Sequence, residues 1–464
     1  MKPLSLATVL MGVLLSVLDF FIVNVALPSL QTDLGTSPAL LQMIIAGYAL
    51  AFASGMVTAG RLGDLFGRKK LYFLGMVLFT LASVACGWAP NSWFLLMARV
   101  VQGLAAAIMA PQVLALINTA NEGQARVKAF AAYGVVMGVA AVFGQLAGGL
   151  LIQANLWGWG WRACFLINLP LGLATLIFGW RQIPESRAPG RPRFDFVGVF
   201  LLTAAVLAVV VPLVLGREGW PLWSWFCLAS VLGWGPAFWY HEGSLKRRGG
   251  SPLLDPSLWK ERAFSVGLAT QLVFFLAQAS YFLILALYLQ QGLGLSPLQA
   301  GATFGVLGAG YLITSTLAPR GVAVWGRQTI ALGGFLRLVG LGSQALGAFL
   351  VPGPGGLWWL LPGLLLDGAG QGFAISPLTS AVLSRIPREY AGSASGLLST
   401  GTQVGNALGV AAIGLIFYPV AAATPTSLGA VHAFQWALLF PIASAGALIL
   451  LVQALPGRKP VTVG

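Results

Sequence analysis

Gly60–Lys70 reads GRLGDLFGRKK, and how those residues are understood decides what kind of molecule this is. Apolar runs at about 41–61 and 71–88 flank the string, each long enough to cross a bilayer. Between two such runs Gly60, Gly63 and Gly67 let the chain reverse within a few residues, since glycine turns freely into left-handed backbone. Asp64 can cap the start of a helix. Arg68, Lys69 and Lys70 suit the anionic inner leaflet of a membrane. The string therefore predicts a short, basic, cytoplasmic connection between two transmembrane helices.

Composition carries that reading to the whole chain. Of 464 residues, 58% are hydrophobic and 8% charged, whereas soluble domains carry roughly a quarter charged residues; a soluble protein is excluded. A mean hydropathy of +0.85 places most of the chain in lipid. Apolar stretches bounded by Gly, Pro or charge fall at 4–27, 41–61, 71–88, 93–117, 128–153, 163–181, 196–216, 221–241, 263–289, 297–318, 328–350, 357–380, 393–418 and 432–454. The expected fold is thus an all-α polytopic membrane protein of 14 transmembrane helices: a six-helix bundle over 1–181, a linker with two extra spans over 182–262, and a second six-helix bundle over 263–464. The run 4–27 is too long for a signal-peptide core and contains Asp19 and Asn24, so it counts as the first span.

The charge surplus then becomes topology. Lys and Arg total 26 against 12 Asp and Glu. With the N-terminus inside, 22 of those 26 fall in cytoplasmic segments, only Arg162 and Arg217 fall outside, and Arg99 and Arg337 lie within spans. This is the positive-inside pattern of a multi-pass protein of the cell inner (plasma) membrane with both termini cytoplasmic, and it leaves no signal for nucleic acid. Tryptophans such as Trp88, Trp93, Trp157 and Trp159 mark the opposite ends. Cys86, Cys164 and Cys227 are odd in number and sit in or beside apolar runs, as packing residues do.

Two passages repeat. Gln102–Pro111 (QGLAAAIMAP) resembles Gln371–Pro377 (QGFAISP), and the next span carries GQLAG at Gly144–Gly148 in one copy and GNALG at Gly405–Gly409 in the other. Duplicated bundles around a central cavity are a transporter architecture, with substrate near the bilayer midplane.

At this point the opening string becomes specific. It resembles the signature loop of the major facilitator superfamily, departing at Leu65, where a basic residue is usual. Leu18–Pro28 (LDFFIVNVALP) resembles the first-span signature of the 14-span drug:proton antiporter family, with Phe21 where Thr is common. Arg99–Gly103 (RVVQG) is similar to the fourth-span arginine motif. Gly138–Gly149 (GVAAVFGQLAGG) resembles the fifth-span antiporter motif, with Gln145 where Pro is usual, and Trp161–Gly172 (WRACFLINLPLG) also looks typical of the 14-span group. The resemblance implies a proton-coupled, alternating-access exporter of small hydrophobic or amphipathic compounds. It implies that Gly60, Gly63, Asp64, Gly67, Arg68 and Lys69 form a gating loop, Asp64 and Arg68 meeting neighbouring helix ends. It implies that Gly138, Gly144, Gly148 and Gly149, with Gln145, let helices pack closely as the halves rock.

Ionisable residues in a span cost about 2.5–3.5 kcal/mol each on insertion scales, so Asp19, Arg99, Arg337 and Asp367 are functional candidates. Counted from the outer ends, Asp19 and Arg99 lie at similar depth, roughly 12 and 9 Å at the helical rise, which predicts a pair. Asp19, Arg99 and Asp367 are expected to carry proton coupling, since burial and a cation pull the titration of a carboxyl in opposite directions; Arg337 pairs with Asp367 or snorkels to the interface. Asn24, Gln42, Gln102, Gln271, Gln278 and Gln371 can line a substrate cavity or simply hold helices together. His241 and His432 stand at span ends without a ligand set at metal-binding spacing, so no metal is expected. No phosphate-binding GxxxxGK[ST] string occurs, which leaves a proton gradient as the energy source and no cofactor. An enzyme is not expected, for want of a nucleophile–base cluster. The expected partners are the substrate, protons and lipid, around a monomer. Rival readings are a symporter or facilitator of a metabolite, a lipid transporter, or a non-transporting receptor or assembly protein.

Overall fold

The computed structural model describes residues 2–186, 195–215, 221–250, 252, 258–351, 354–383, 391–423 and 427–455, apart from some helix side chains, those of Arg61 and Asp64 among them. Every regular element there is helical. The first half holds α1 (Pro3–Leu34), α2 (Pro38–Phe66), α3 (Arg68–Gly87), α4 (Ser92–Ala120), α5 (Gly123–Ala154), α6 (Ala163–Leu166) and α7 (Asn168–Gly179). Two central helices follow, α8 (Phe196–Leu215) and α9 (Leu222–Arg247). The second half holds α10 (Arg262–Leu287), α11 (Pro297–Trp325), α12 (Gln328–Leu350), α13 (Leu357–Leu383), α14 (Ala391–Ala423), α15 (Ser427–Ala437) and α16 (Leu439–Ala454).

Local chemistry sets the boundaries. Ser37 Oγ accepts from the Leu40 amide to start α2, Asn91 Oδ1 accepts from Phe94 to start α4, and Ser296 with Gln299 forms a reciprocal capping box on α11. Between the caps the sequences are apolar nearly all round, as helices buried in a bundle or in lipid must be.

One sequence expectation is met in part and another needs correction. Among the described residues, 12 helices are long and apolar enough to cross a membrane, two fewer than the 14 expected. The two expected spans that fall short are α9, rich in Trp, Gly, Ser and Pro rather than aliphatic residues, and α13, whose Asp367, Gln371 and glycines lower its apolarity. The correction concerns Gly60–Lys70. Helix α2 continues through Phe66 and α3 begins at Arg68, so the string is no loop: Gly67 alone makes the turn, at φ 109° and ψ 127°. A side chain would be strained there, which is why one glycine suffices where several residues were expected.

Within the first half α4 packs on α2 and α3 while α1 lies along α5; within the second, α13 packs on α11 and α12 while α10 lies along α14. The halves meet at two seams, α5 against α11 and α2 against α14, and α8 leans on both α2 and α14. One end of the molecule carries exposed tryptophans, including Trp88, Trp93, Trp157 and Trp358. The other carries the Gly67 turn and the basic end of α9.

Glycines explain how the seams close. On α5, Gly144 and Gly148 press on Leu18 and Ile22 of α1, a Cβ at either lying within 3.0 Å of that helix. The repeat-related Gly405 and Gly409 of α14 press in the same way on Leu272 and Leu276 of α10. Gly138 and Gly149 instead face the other half, where a Cβ would strike Tyr311 and the Pro297 carbonyl of α11; Gly301 of α11 returns the contact, since a Cβ there would lie 2.6 Å from the Gln145 carbonyl. The fifth-span motif thus divides between packing inside its own half and packing across the seam.

Candidate functional site: two buried ion-pair networks

Asp19 and Arg99 meet. Arg99 Nη1 bonds Asp19 Oδ2 in a contact with both side chains fully buried. Around them stand further donors: Gln102 Nε2 donates to Asp19 Oδ1 at 2.9 Å, and Asn168 Nδ2 donates to the same oxygen at 2.7 Å. Both amides also donate to Ser83 Oγ, at 3.0 and 2.8 Å, and Arg99 Nη1 reaches Gln102 Oε1 at 2.7 Å. The guanidinium lies 4.2 Å from the centre of the Tyr48 ring, whose hydroxyl donates to the Ser16 carbonyl at 2.9 Å. Helices α1, α2, α3, α4 and α7 each supply a member, so the pair sits inside the first half. A carboxylate taken out of water needs such partners, because an unpaired buried charge costs several kcal/mol.

The second half has its own network. Arg337 Nε donates to Asp367 Oδ1 at 2.9 Å, Gln371 Nε2 to Asp367 Oδ2 at 2.8 Å, and Gln278 Nε2 to Gln371 Oε1 at 2.9 Å. Arg337 is buried, 4.6 Å from the Phe274 ring centre, and pairs rather than snorkels. The two networks share the Gln of the repeated QG step, Gln102 on α4 and Gln371 on α13, but differ in polarity. In the first the carboxylate is on α1 and the guanidinium on α4; in the second the guanidinium is on α12 and the carboxylate on α13.

Other expected residues are placed differently. Gln42 Nε2 donates to the Val410 carbonyl at 3.2 Å across the α2–α14 seam, and Gln271 Nε2 to Thr402 Oγ1 at 2.7 Å between α10 and α14. Both hold helices together. Asn24 and Gln145 are buried, and neither Asn24 Oδ1 nor either amide atom of Gln145 meets a hydrogen-bond partner.

Around the turn, Gly63 lies beneath Gln112 of α4, whose Nε2 donates to the Ala59 carbonyl at 2.7 Å. The Lys69 amide donates to Glu185 Oε1 at 3.1 Å and the Arg68 amide to the Ser186 carbonyl at 3.0 Å, so the segment after α7 caps the start of α3. Lys69 Nζ stands 4.8 Å from the Trp180 ring centre. The expected contact of Asp64 lies outside the described residues.

Sequence reasoning missed Asn168, Ser83 and Glu185. Asn168 is the polar residue of WRACFLINLPLG, but a neutral amide in a span does not stand out as an ionisable group does. It also missed that His241 has acidic neighbours: Nε2 lies 2.7 Å from Asp195 Oδ1, with Glu242 adjacent, because Asp195 approaches through the fold and not along the helix.

The sequence model of the Major Facilitator Superfamily matches residues 9–410. A probable actinorhodin transporter of Streptomyces coelicolor is 39% identical over 426 residues, covering 89% of this chain and 72% of that protein. Puromycin resistance protein pur8 of Streptomyces alboniger is 35% identical over 458 residues, covering 94% and 88%. Among solved structures, the xylose transporter XylE from E. coli, in a partially occluded inward open conformation, superposes with a TM-score of 0.67 at 14% identity, covering 98% of this chain and 99% of that one, a likeness of fold.

Proposed function

The chain belongs to the major facilitator superfamily, whose members are multi-pass membrane transporters, and from that premise we propose that it exports small amphipathic compounds of the antibiotic type in exchange for protons. The names of its relatives, an actinorhodin transporter and a puromycin resistance protein, support the direction and the substrate class. In this reading α9 and α13 cross the membrane with the 12 apolar helices to give 14 spans, the basic end is cytoplasmic, and both termini lie there. Energy comes from the proton gradient, with no cofactor.

The observation that carries the coupling is the Asp19–Arg99 network. A fully buried carboxylate with one guanidinium and two amide donors has two self-consistent states: ionised and paired, or protonated with Arg99 released to other acceptors. Because Asp19 belongs to α1, Arg99 to α4 and Asn168 to α7, exchanging one state for the other changes how those helices hold one another. Helix α1 also touches α10 and α11, so that change reaches the other half. The halves then rock on the α5–α11 and α2–α14 seams. The Gly67 turn, capped by Glu185, latches the basic end in one conformer.

The test is transport of puromycin into inverted membrane vesicles under an imposed pH gradient. Asp19→Asn is expected to abolish gradient-driven uptake while puromycin binding to the purified protein persists. Uptake that survives in a folded Asp19→Asn variant removes Asp19 from the coupling step, and substrate moving in the same direction as protons replaces export by symport.

A further inference from the structure

The buried corner where α8 begins holds a set of side chains that transport does not use. Asp195 immediately precedes α8, and His241 and Glu242 lie late in α9, all at the basic end. One ligand atom from each falls within 4.8 Å of the other two. His241 Nε2 is 2.7 Å from Asp195 Oδ1, which also accepts the Gly198 amide at 2.9 Å. The second carboxylate oxygen, Asp195 Oδ2, has no hydrogen-bond partner although the Asp195 side chain is only 4% exposed. It points to the place that Glu242 Oε1 also occupies: a Cβ at Gly198 would collide with both oxygens. The glycine keeps open a space that two carboxylates line and an imidazole borders.

We propose that Asp195, His241 and Glu242 bind a divalent transition-metal ion of the zinc type. Two carboxylates and an imidazole converging on one corner offer three ligand atoms to a single cation. One imidazole nitrogen with two carboxylate oxygens is a borderline-hard set that suits Zn²⁺, with ligand distances of about 2.0–2.2 Å. Magnesium and calcium prefer all-oxygen shells. Ligands of one tetrahedral ion stand roughly 3.4 Å apart at those bond lengths, so the imidazole must withdraw slightly from Asp195. His241, 26% exposed at the rim, has the room. An ion there ties the start of α8 to the end of α9 and stiffens the hairpin whose α8 leans on α2 and α14. The inference stands on this corner alone and does not depend on the transport reading.

The experiment uses the full-length protein in detergent, stripped of metal with a chelator and titrated with Zn²⁺ at neutral pH by calorimetry, with the melting temperature followed in parallel. The expected result is one saturable equivalent per chain, a raised Tm, and affinity weakened more than about 100-fold in Asp195→Asn and in His241→Gln. His241→Gln, at the exposed rim, keeps the test informative if Asp195→Asn does not fold. Mg²⁺ is expected to leave Tm unchanged. Absence of a saturable equivalent, an unaltered isotherm in His241→Gln, or an equal response to Mg²⁺ overturns the proposal, the first leaving a shared proton between the carboxylates in place of an ion.

Discussion

Asp19 and Arg99 tie α1 to α4 as a buried ion pair, and in the proposed function the same pair carries the proton. Breaking a buried pair by removing one partner typically costs about 3–5 kcal/mol, because the survivor is left uncompensated. Asp19→Asn is therefore expected to lower the melting temperature as well as transport. The double variant Asp19→Leu with Arg99→Met separates the two effects: replacing both charges with apolar groups is expected to recover most of the stability, by circular dichroism melting, and none of the gradient-driven transport. Recovery of transport along with stability would show that the pair only holds helices together. Asn168→Ala removes one donor to the carboxylate and is expected to cost about 1–3 kcal/mol, measured in the same melts. These residues were legible to different degrees. The rarity of charge in lipid singled out Asp19, Arg99, Arg337 and Asp367, and all four are paired, but Asn168 and Ser83 were not found, since a neutral polar residue in an apolar run carries no sign of what it will face.

Among the elements, the turn between α2 and α3 and the helix α5 are the most exacting. At Gly67 an added Cβ meets both a strained φ of 109° and the Glu185 carboxylate 2.7 Å away. Gly67→Ala is expected to cost about 1–3 kcal/mol from backbone strain. Glu185→Ala, which removes only the cap, is expected to cost about 0.5–2 kcal/mol; thermal melts of the two variants should rank them in that order. On α5 the two glycine faces predict two phenotypes. Gly144→Leu pries α1 from α5 inside one half and is expected to reduce folded yield, judged by size-exclusion profile. Gly149→Leu opens the α5–α11 seam at the Pro297 carbonyl and is expected to leave a folded protein with little transport. Equal folded yields for the two variants would contradict that division. The sequence spacing alone gave the small-residue step on α5 but not its two directions, because those follow from which neighbours lie on each side. It likewise placed the helices well while mistaking a one-residue turn for a loop, since helical and turning glycines look alike until the backbone is seen.

For the whole molecule, the repeat was readable in the QG and GQLAG/GNALG echoes, and the structure shows both halves using them alike: a glutamine beside an aspartate, and glycines of one helix against another. The inverted placement of the charges was not readable, because helix spacing does not say which neighbour supplies a counter-ion. Both ion pairs lie within their halves, while Asn24, whose Oδ1 meets no hydrogen-bond partner, and Gln145, neither of whose amide atoms does, belong to α1 and α5, which both pack on α11. Each half thus holds its own buried ion pair, and the central claim is that a proton alters the charge balance of the first half to drive export. The most direct measurement is proton movement in proteoliposomes carrying a pH-sensitive dye, with puromycin added to one side. The account predicts that puromycin entry is matched by proton exit, that reversing the pH gradient reverses the substrate, and that Asp19→Asn shows neither. Puromycin and protons crossing in the same direction, or puromycin crossing with no proton movement at all, would contradict it.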